Sequence, residues 1–168
     1  MQDKKKPGRP SEGLSVQITF RIDYDLAKRI GKRAYFNGDS AARFVRVCAL
    51  RVLARETAKE WTNGVLTKTA GEPWPDAPAG RRRWGHNEGT PISPKTRVNV
   101  YATLEEVAQI RAWSYWAEAS ASELVEQEAL GLLPHWRAGL KMEDLLALPD
   151  PLPPAPAWVE GIDELALS

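Results

Sequence analysis

Only one cysteine, Cys48, and two histidines, His86 and His135, occur in the 168 residues. A lone thiol excludes an internal disulfide framework and fits a reducing compartment. The histidines stand apart from each other and from Cys48, so the spacing of a zinc site is missing. A phosphate-cradling glycine loop and a recognisable nucleophile–base arrangement are missing too. Glu105-Glu106 is better explained by helix capping than by acid–base chemistry, so neither catalysis nor a cofactor is expected. Apolar runs stay well below the roughly 20 residues that a spanning helix needs. The N-terminus is basic with no apolar segment or cleavage site after it, so no membrane partner and a cytoplasmic location are expected.

Net charge is nearly absent, at +1 from 23 Lys and Arg against 22 Asp and Glu, but the balance is uneven along the chain. Residues 1–60 carry 14 basic against 7 acidic side chains, and residues 61–95 carry 5 against 3. The sign then reverses, with 3 against 6 in residues 96–140 and 1 against 6 from Lys141 onward. Such a gradient informs about partners more than the total does. The first third can face a polyanion, and the last third is repelled by one unless it points away.

What the chain does contain is one short module twice, offset by 80 residues without a gap. Val16–Ile22 alternates apolar and polar residues, and so does Thr96–Ala102. Each run precedes two stretches of helical periodicity separated by a polar break. In the first copy Asp23 can cap a helix carrying Leu26, Ile30 and Ala34. Asn37-Gly38-Asp39 then breaks the pattern, and Asp39 or Ser40 can cap a helix carrying Phe44, Val45, Cys48, Val52 and Leu53. In the second, Thr103–Glu106 forms a capping box ahead of Val107 and Ile110. Ala119–Glu123 supplies another ahead of Leu124, Val125, Ala129, Leu130 and Leu133. Phe20 matches Val100, Ile30 matches Ile110, Tyr35 matches Tyr115, and Leu50 matches Leu130.

Around the modules the chain divides into a basic arm (1–14), a first module (15–60), a linker (61–95), a second module (96–136) and an acidic, Pro-rich tail (137–168). The linker contains Trp61, Trp74 and Trp84 and the run Arg81-Arg82-Arg83. It either covers part of the core or is mobile. In the second helix of the first module, Arg43 lies nearest the helix start, whereas Arg46, Arg51 and Arg55 are expected to face solvent. Trp113, Trp116 and Trp136 are expected to anchor core packing or an interface, and Cys48 to be a small buried thiol. The tail segment Trp158–Leu167 can dock on the body, stay disordered or recruit a protein partner.

A lone strand needs a hydrogen-bonding neighbour. Antiparallel pairing of the two strands puts Ile18, Phe20, Ile22, Val98, Val100 and Ala102 on one face. The other face then presents Gln17, Thr19 and Arg21 beside Arg97, Asn99 and Tyr101. The strands can pair within one chain or between chains. A two-stranded ribbon fits the major groove, where Arg suits guanine acceptors and Gln or Asn suits adenine.

With Ile18–Ile22, Leu26, Ile30, Gly38-Asp39-Ser40 and Phe44-Val45, and again with Val98–Ala102, Val107, Ile110 and Ser120–Val125, the chain resembles the ribbon-helix-helix family of DNA-binding proteins. The resemblance spans both modules and implies a mainly α fold with a two-stranded antiparallel β-ribbon, a tandem pseudo-dimer. It implies that Gln17, Thr19, Arg21, Arg97, Asn99 and Tyr101 contact bases of double-stranded DNA. Main-chain amides around Ser40 and Ser120 would hold phosphate, which suits helix N-termini. The Lys4–Pro10 arm is similar to an AT-hook core, which makes Lys4, Lys5, Lys6 and Arg9 phosphate contacts unless the arm only solubilises the chain. Arg43 and the run Arg81, Arg82 and Arg83 are further phosphate candidates, the run being otherwise a solvated stretch of charge. The second copy departs from the pattern at Tyr101, at Glu106 where the first has Leu26, and at Glu118 where it has Gly38. The implied function is sequence-specific DNA binding, foremost as a repressor. The alternatives are a segregation, replication or conjugation factor, an antitoxin, or an assembly protein acting through the acidic module and tail. Self-association on adjacent sites fits the short length of one ribbon.

Overall fold

The computed structural model describes residues 16–78 and 94–155. Strand β1 (Val16–Asp23) runs straight into helix α1 (Tyr24–Phe36), because the Asp23 carboxylate accepts from the Leu26 N–H at 3.1 Å. That bond satisfies an amide that a helix start leaves without an internal partner. The turn after α1 places Gly38 at φ +69°. Helix α2 (Ala41–Thr57) starts on Ser40, whose hydroxyl accepts from the Arg43 N–H at 3.2 Å. A small hairpin of β2 (Trp61–Thr62) and β3 (Thr67–Lys68) follows.

The same order of strand, helix and helix then recurs. Strand β4 (Lys95–Ala102) leads to α3 (Leu104–Ala117), which opens on the reciprocal box between Thr103 and Glu106. The turn after α3 places Glu118 at φ +50°, in the left-handed region that Gly38 occupies 80 positions earlier. Helix α4 (Ala121–Leu132) starts on Ser120, whose hydroxyl accepts from the Glu123 N–H at 3.2 Å. Only this serine half of the expected second box is formed. A single 3-10 turn (Leu133–His135) and the short helix α5 (Met142–Leu146) complete the described chain. The architecture is mainly α, with two small antiparallel two-stranded sheets.

β1 and β4 pair antiparallel over their whole length, from Val16 opposite Ala102 to Asp23 opposite Lys95. Thr19 lies opposite Asn99, its own counterpart in the repeat. The helices cross over this ribbon, with α2 against β4 and α4 against β1. Beneath it Phe20, Ile22 and Val100 close on Leu26, Ile30, Phe44, Val45, Val125 and Ala129. Ile18 and Val98 complete the inward face, half-buried at the margin of the same core. The alternation of both strands therefore sorts side chains as read, apolar inward and polar outward.

The segment after each second helix folds back over the opposite side of the body. After α2, Trp74 is buried against Val52 and Trp113, with Trp61 and Trp116 around them. Its indole N–H donates to the Thr57 hydroxyl at 3.2 Å, and the Gln109 amide clasps its main chain in both directions, each at 2.8 Å. The buried Lys68 ammonium donates to the carbonyls of Thr57 at 2.8 Å and Thr69 at 3.0 Å, at the end of α2 where exposed carbonyls favour a cation. Up to Pro78, then, the linker covers part of the core. Trp84 and the Arg81–Arg83 run lie outside the described residues. After α4, Trp136 stacks on Phe44 with ring centroids 4.7 Å apart, and the Arg33 guanidinium donates to the Trp136 carbonyl at 2.7 Å. Met142 and Leu145 are buried, and Leu148 and Leu152 pack beside them. The first part of the tail is thus a strap on the body, while Trp158–Leu167 falls outside the described residues.

Two sequence expectations need correction. Leu130 is 51 % exposed, because α4 buries the stripe of Val125, Glu128, Ala129 and Leu132 and turns Leu130 away from it. The later arginines of α2 do not face solvent. Arg51 is 5 % exposed; it donates to Glu128 at 2.7 Å and to the carbonyls of Leu145 at 3.2 Å, Leu148 at 2.7 Å and Pro149 at 3.1 Å. Arg55 bridges Glu128 at 2.6 Å and Asp150 at 2.7 Å, and the hydrogen bond from Arg55 holds the Asp150 carboxyl below its usual value. Arg46 grips Glu106 bidentately, which explains a carboxylate where the first repeat has Leu26. A guanidinium has enough donors to serve such a ring of acceptors, and the ring offsets the cost of burying it.

Two stability outcomes are expected in urea unfolding. Nothing lies within 4 Å of a Cβ built at Gly38, so only backbone conformation opposes a side chain there. Gly38→Ala should cost about 1 kcal/mol, and Glu118→Gly should add about 1 kcal/mol by relieving the same strain. Arg51→Ala strands part of a buried acceptor ring and should cost about 3 kcal/mol, well above the loss for the half-buried Arg46→Ala.

Candidate nucleic-acid interface

The outward face of the ribbon gathers Gln17, Thr19, Arg21, Arg97, Asn99 and Tyr101 on one exposed surface. All six are polar, and the core holds their apolar neighbours from below. Cross-strand register sets three pairs: Gln17 with Tyr101, Thr19 with Asn99, and Arg21 with Arg97. At the centre the Thr19 hydroxyl donates to Asn99 Oδ1 at 2.8 Å. This bond fixes the Asn99 amide and leaves its Nδ2 donors available to a partner.

The arginine pair is the electrostatic singularity of this face. The Arg21 N–H points away from β4 and donates to the Ser122 hydroxyl at 3.0 Å. Arg21 and Arg97 therefore form a non-hydrogen-bonded pair, the kind in which opposing Cα atoms approach to about 4.5 Å. Among the described residues neither guanidinium has an ion-pair partner. Like charges directly opposite each other destabilise a sheet, and an anion arriving over the face relieves that repulsion. The face therefore presents guanidinium and amide donors side by side, groups able to make paired hydrogen bonds to neighbouring acceptors.

The flanking helix starts are unequal. At α2, Ser40 uses its hydroxyl to cap Arg43, and its own N–H donates to Asp39 at 2.9 Å. The amides of Ala41 and Ala42 precede the first internal helix bonds and point toward any acceptor at that end. Arg43 lies beside them, its side chain 61 % exposed and paired with Asp39 at 3.2 Å. At α4, Ser120 caps in the same way, but the first turn carries Glu123, and Glu126 pairs with Lys95 at 2.9 Å. Lys4, Lys5, Lys6, Arg9, Arg81, Arg82 and Arg83 lie outside the described residues.

Sequence reading missed Ser122, which ties the start of α4 to the edge of β1 and so holds the helix beside the face. Its counterpart in the first repeat is Ala42, so the repeat itself carried no signal for it. The remaining chemistry is quiet. Burial pushes the Cys48 thiol well up, and the nearby Glu128 carboxylate adds to the effect, so the thiol stays protonated at neutral pH. Among the described residues no three His, Cys, Asp or Glu side chains come together as a metal site. Nor is any described helix long and apolar enough to cross a membrane.

No family model, curated protein or solved structure matches the chain.

The arginine pair has a consequence for the free protein. Arg21→Gln or Arg97→Gln should raise stability by about 0.5 kcal/mol in low-salt unfolding, as expected for removing a like-charge cross-strand pair. The gain should shrink as added salt screens the two charges. A loss of stability in either variant would mean that the opposed arginines do not repel each other.

Proposed function

We propose that the chain is a tandem ribbon-helix-helix pseudo-dimer that binds double-stranded DNA through the β1–β4 ribbon. It acts as a sequence-specific regulator, foremost a repressor that occupies promoter DNA. The observation that carries this reading is the exposed arrangement of Arg21 opposite Arg97, neither in an ion pair among the described residues, beside Gln17, Thr19, Asn99 and Tyr101. Support for the pseudo-dimer comes from the pairing of Thr19 with its own counterpart, the crossed packing of α2 and α4, and the shared left-handed turns at Gly38 and Glu118. Base contacts come from the six ribbon residues. Phosphates are held by the amides at the start of α2 with Arg43, and more weakly by those at the start of α4 after Ser120. The basic arm, Lys4, Lys5, Lys6 and Arg9, and the linker arginines Arg81, Arg82 and Arg83 add sequence-independent attraction. Segregation, replication or conjugation factors and antitoxins can use the same apparatus, with the DNA site setting the biological role.

A second reading, an assembly protein that binds no DNA, is favoured by Tyr101 on the face and by Glu123 at the start of α4. Fluorescence anisotropy with a labelled duplex of mixed sequence separates the two. Affinity should fall steeply with salt, and Arg21→Ala should weaken binding about tenfold while the circular dichroism spectrum stays unchanged. Absence of duplex binding at low salt would leave the assembly reading.

A further inference from the structure

An operator palindrome mirrors two-fold symmetry in the protein that reads it. Here the two strands break that symmetry at every outward position. Under the 80-residue offset, Gln17 corresponds to Arg97, Thr19 to Asn99, and Arg21 to Tyr101. The antiparallel register then gathers both arginines at one end and leaves the other without one. Arg21 and Arg97 face each other toward the Asp23–Lys95 end, and Gln17 and Tyr101 face each other toward the Val16–Ala102 end. A parallel or shifted register would have scattered them.

We infer that the preferred DNA site is non-palindromic, with guanine-bearing base pairs under the Arg21–Arg97 end and A·T pairs under the Gln17–Tyr101 end. This rests on the reading of the ribbon as a major-groove element. Each arginine suits the O6 and N7 acceptors of guanine bidentately, and their opposition on the two strands of the ribbon lets them address adjacent pairs. Gln17 suits adenine through N6 and N7. The Tyr101 ring, which offers no second donor, packs against a thymine methyl. At the centre the Thr19 hydroxyl occupies a lone pair of Asn99 Oδ1, so the amide turns its Nδ2 donors to a groove acceptor. The flanks are polarised as well. The start of α2, beside β4, carries Arg43, and the start of α4, tied to β1 through Ser122, carries Glu123. The protein thus has a defined direction on the duplex, in base preference and in phosphate grip alike.

The test is selection of bound fragments from a random duplex library by the full-length chain, run beside the double variant Gln17→Arg/Tyr101→Arg. That variant places arginine at all four outer positions and makes the two ends equivalent. Wild type should yield a short motif with guanines at one end only, different from its own reverse complement. The double variant should gain guanines at the other end and become nearly palindromic. Arg97→Gln, which keeps the ribbon polar and its fold intact, should cost about tenfold in preference for guanine at the original end. A wild-type motif that reads the same on both strands, or a double variant with an unchanged motif, would overturn the inference. So would salt-dependent duplex binding with no enriched motif, although that outcome leaves DNA binding itself standing. No duplex binding at all would overturn both.

Discussion

Everything in this fold hangs on one ladder of main-chain hydrogen bonds. Among the described residues neither β1 nor β4 has another strand beside it. Separated, each would expose a row of unpaired N–H and C=O groups and an apolar face with nothing to cover. Paired, they make a floor whose underside is Phe20, Ile22, Val100 and Ala102 and whose upper side is wholly polar. The same pairing draws the helices into a crossed arrangement, since α2 rests on the strand of the other repeat and α4 on β1. Joining the two strands through a long intervening segment is thermodynamically mild, because each doubling of a loop adds only about 0.6 kcal/mol.

A ribbon on four helices leaves flanks open, and the chain closes them with material the repeats do not contain. One flank takes the hairpin and Trp74, pinned by Gln109 and Thr57. The other takes Trp136 and the strap through Leu152, pinned by Arg33 and Arg51. Both solutions set an indole into the gap and tether the covering segment by bonds to its main chain. The two halves of the molecule are thus alike in plan and different in cladding, which matches the inequality of their outward faces.

The elements that repeat were legible in sequence, and those that do not repeat were largely hidden. Alternation from Val16 to Ile22 and from Thr96 to Ala102 marked both strands and sorted all six outward residues correctly. Asp23, Thr103 and Ser120 marked helix starts, and the pair Asp39 and Ser40 marked that of α2 to within one residue, because capping is a local rule with a local signature. Arg51 was misread because most of its partners are carbonyls, which every residue possesses and no composition reveals. The paired strands of the small hairpin are too short for periodicity to register, and Lys68 gave no sign that an ammonium would end beneath Trp74. Leu130 was misplaced because the stripe on α4 is set by its neighbours rather than by its own hydrophobicity. Of the candidate face, the membership was legible. The Thr19–Asn99 bond and the Ser122 tether were not, since both depend on register and on the approach of a distant helix.

The grip of Arg51 on the strap has an evolutionary corollary. A bond to a main-chain carbonyl recognises position along the chain and is indifferent to side-chain identity. Between Leu145 and Pro149, therefore, substitutions should drift freely wherever the side chain is exposed, while the spacing is held rigid by the fan of one guanidinium. A single inserted or deleted residue there would slide every acceptor out of reach at once. The strap is a segment under selection for length more than for letters, and related chains, aligned by spelling alone, would look more divergent there than they are.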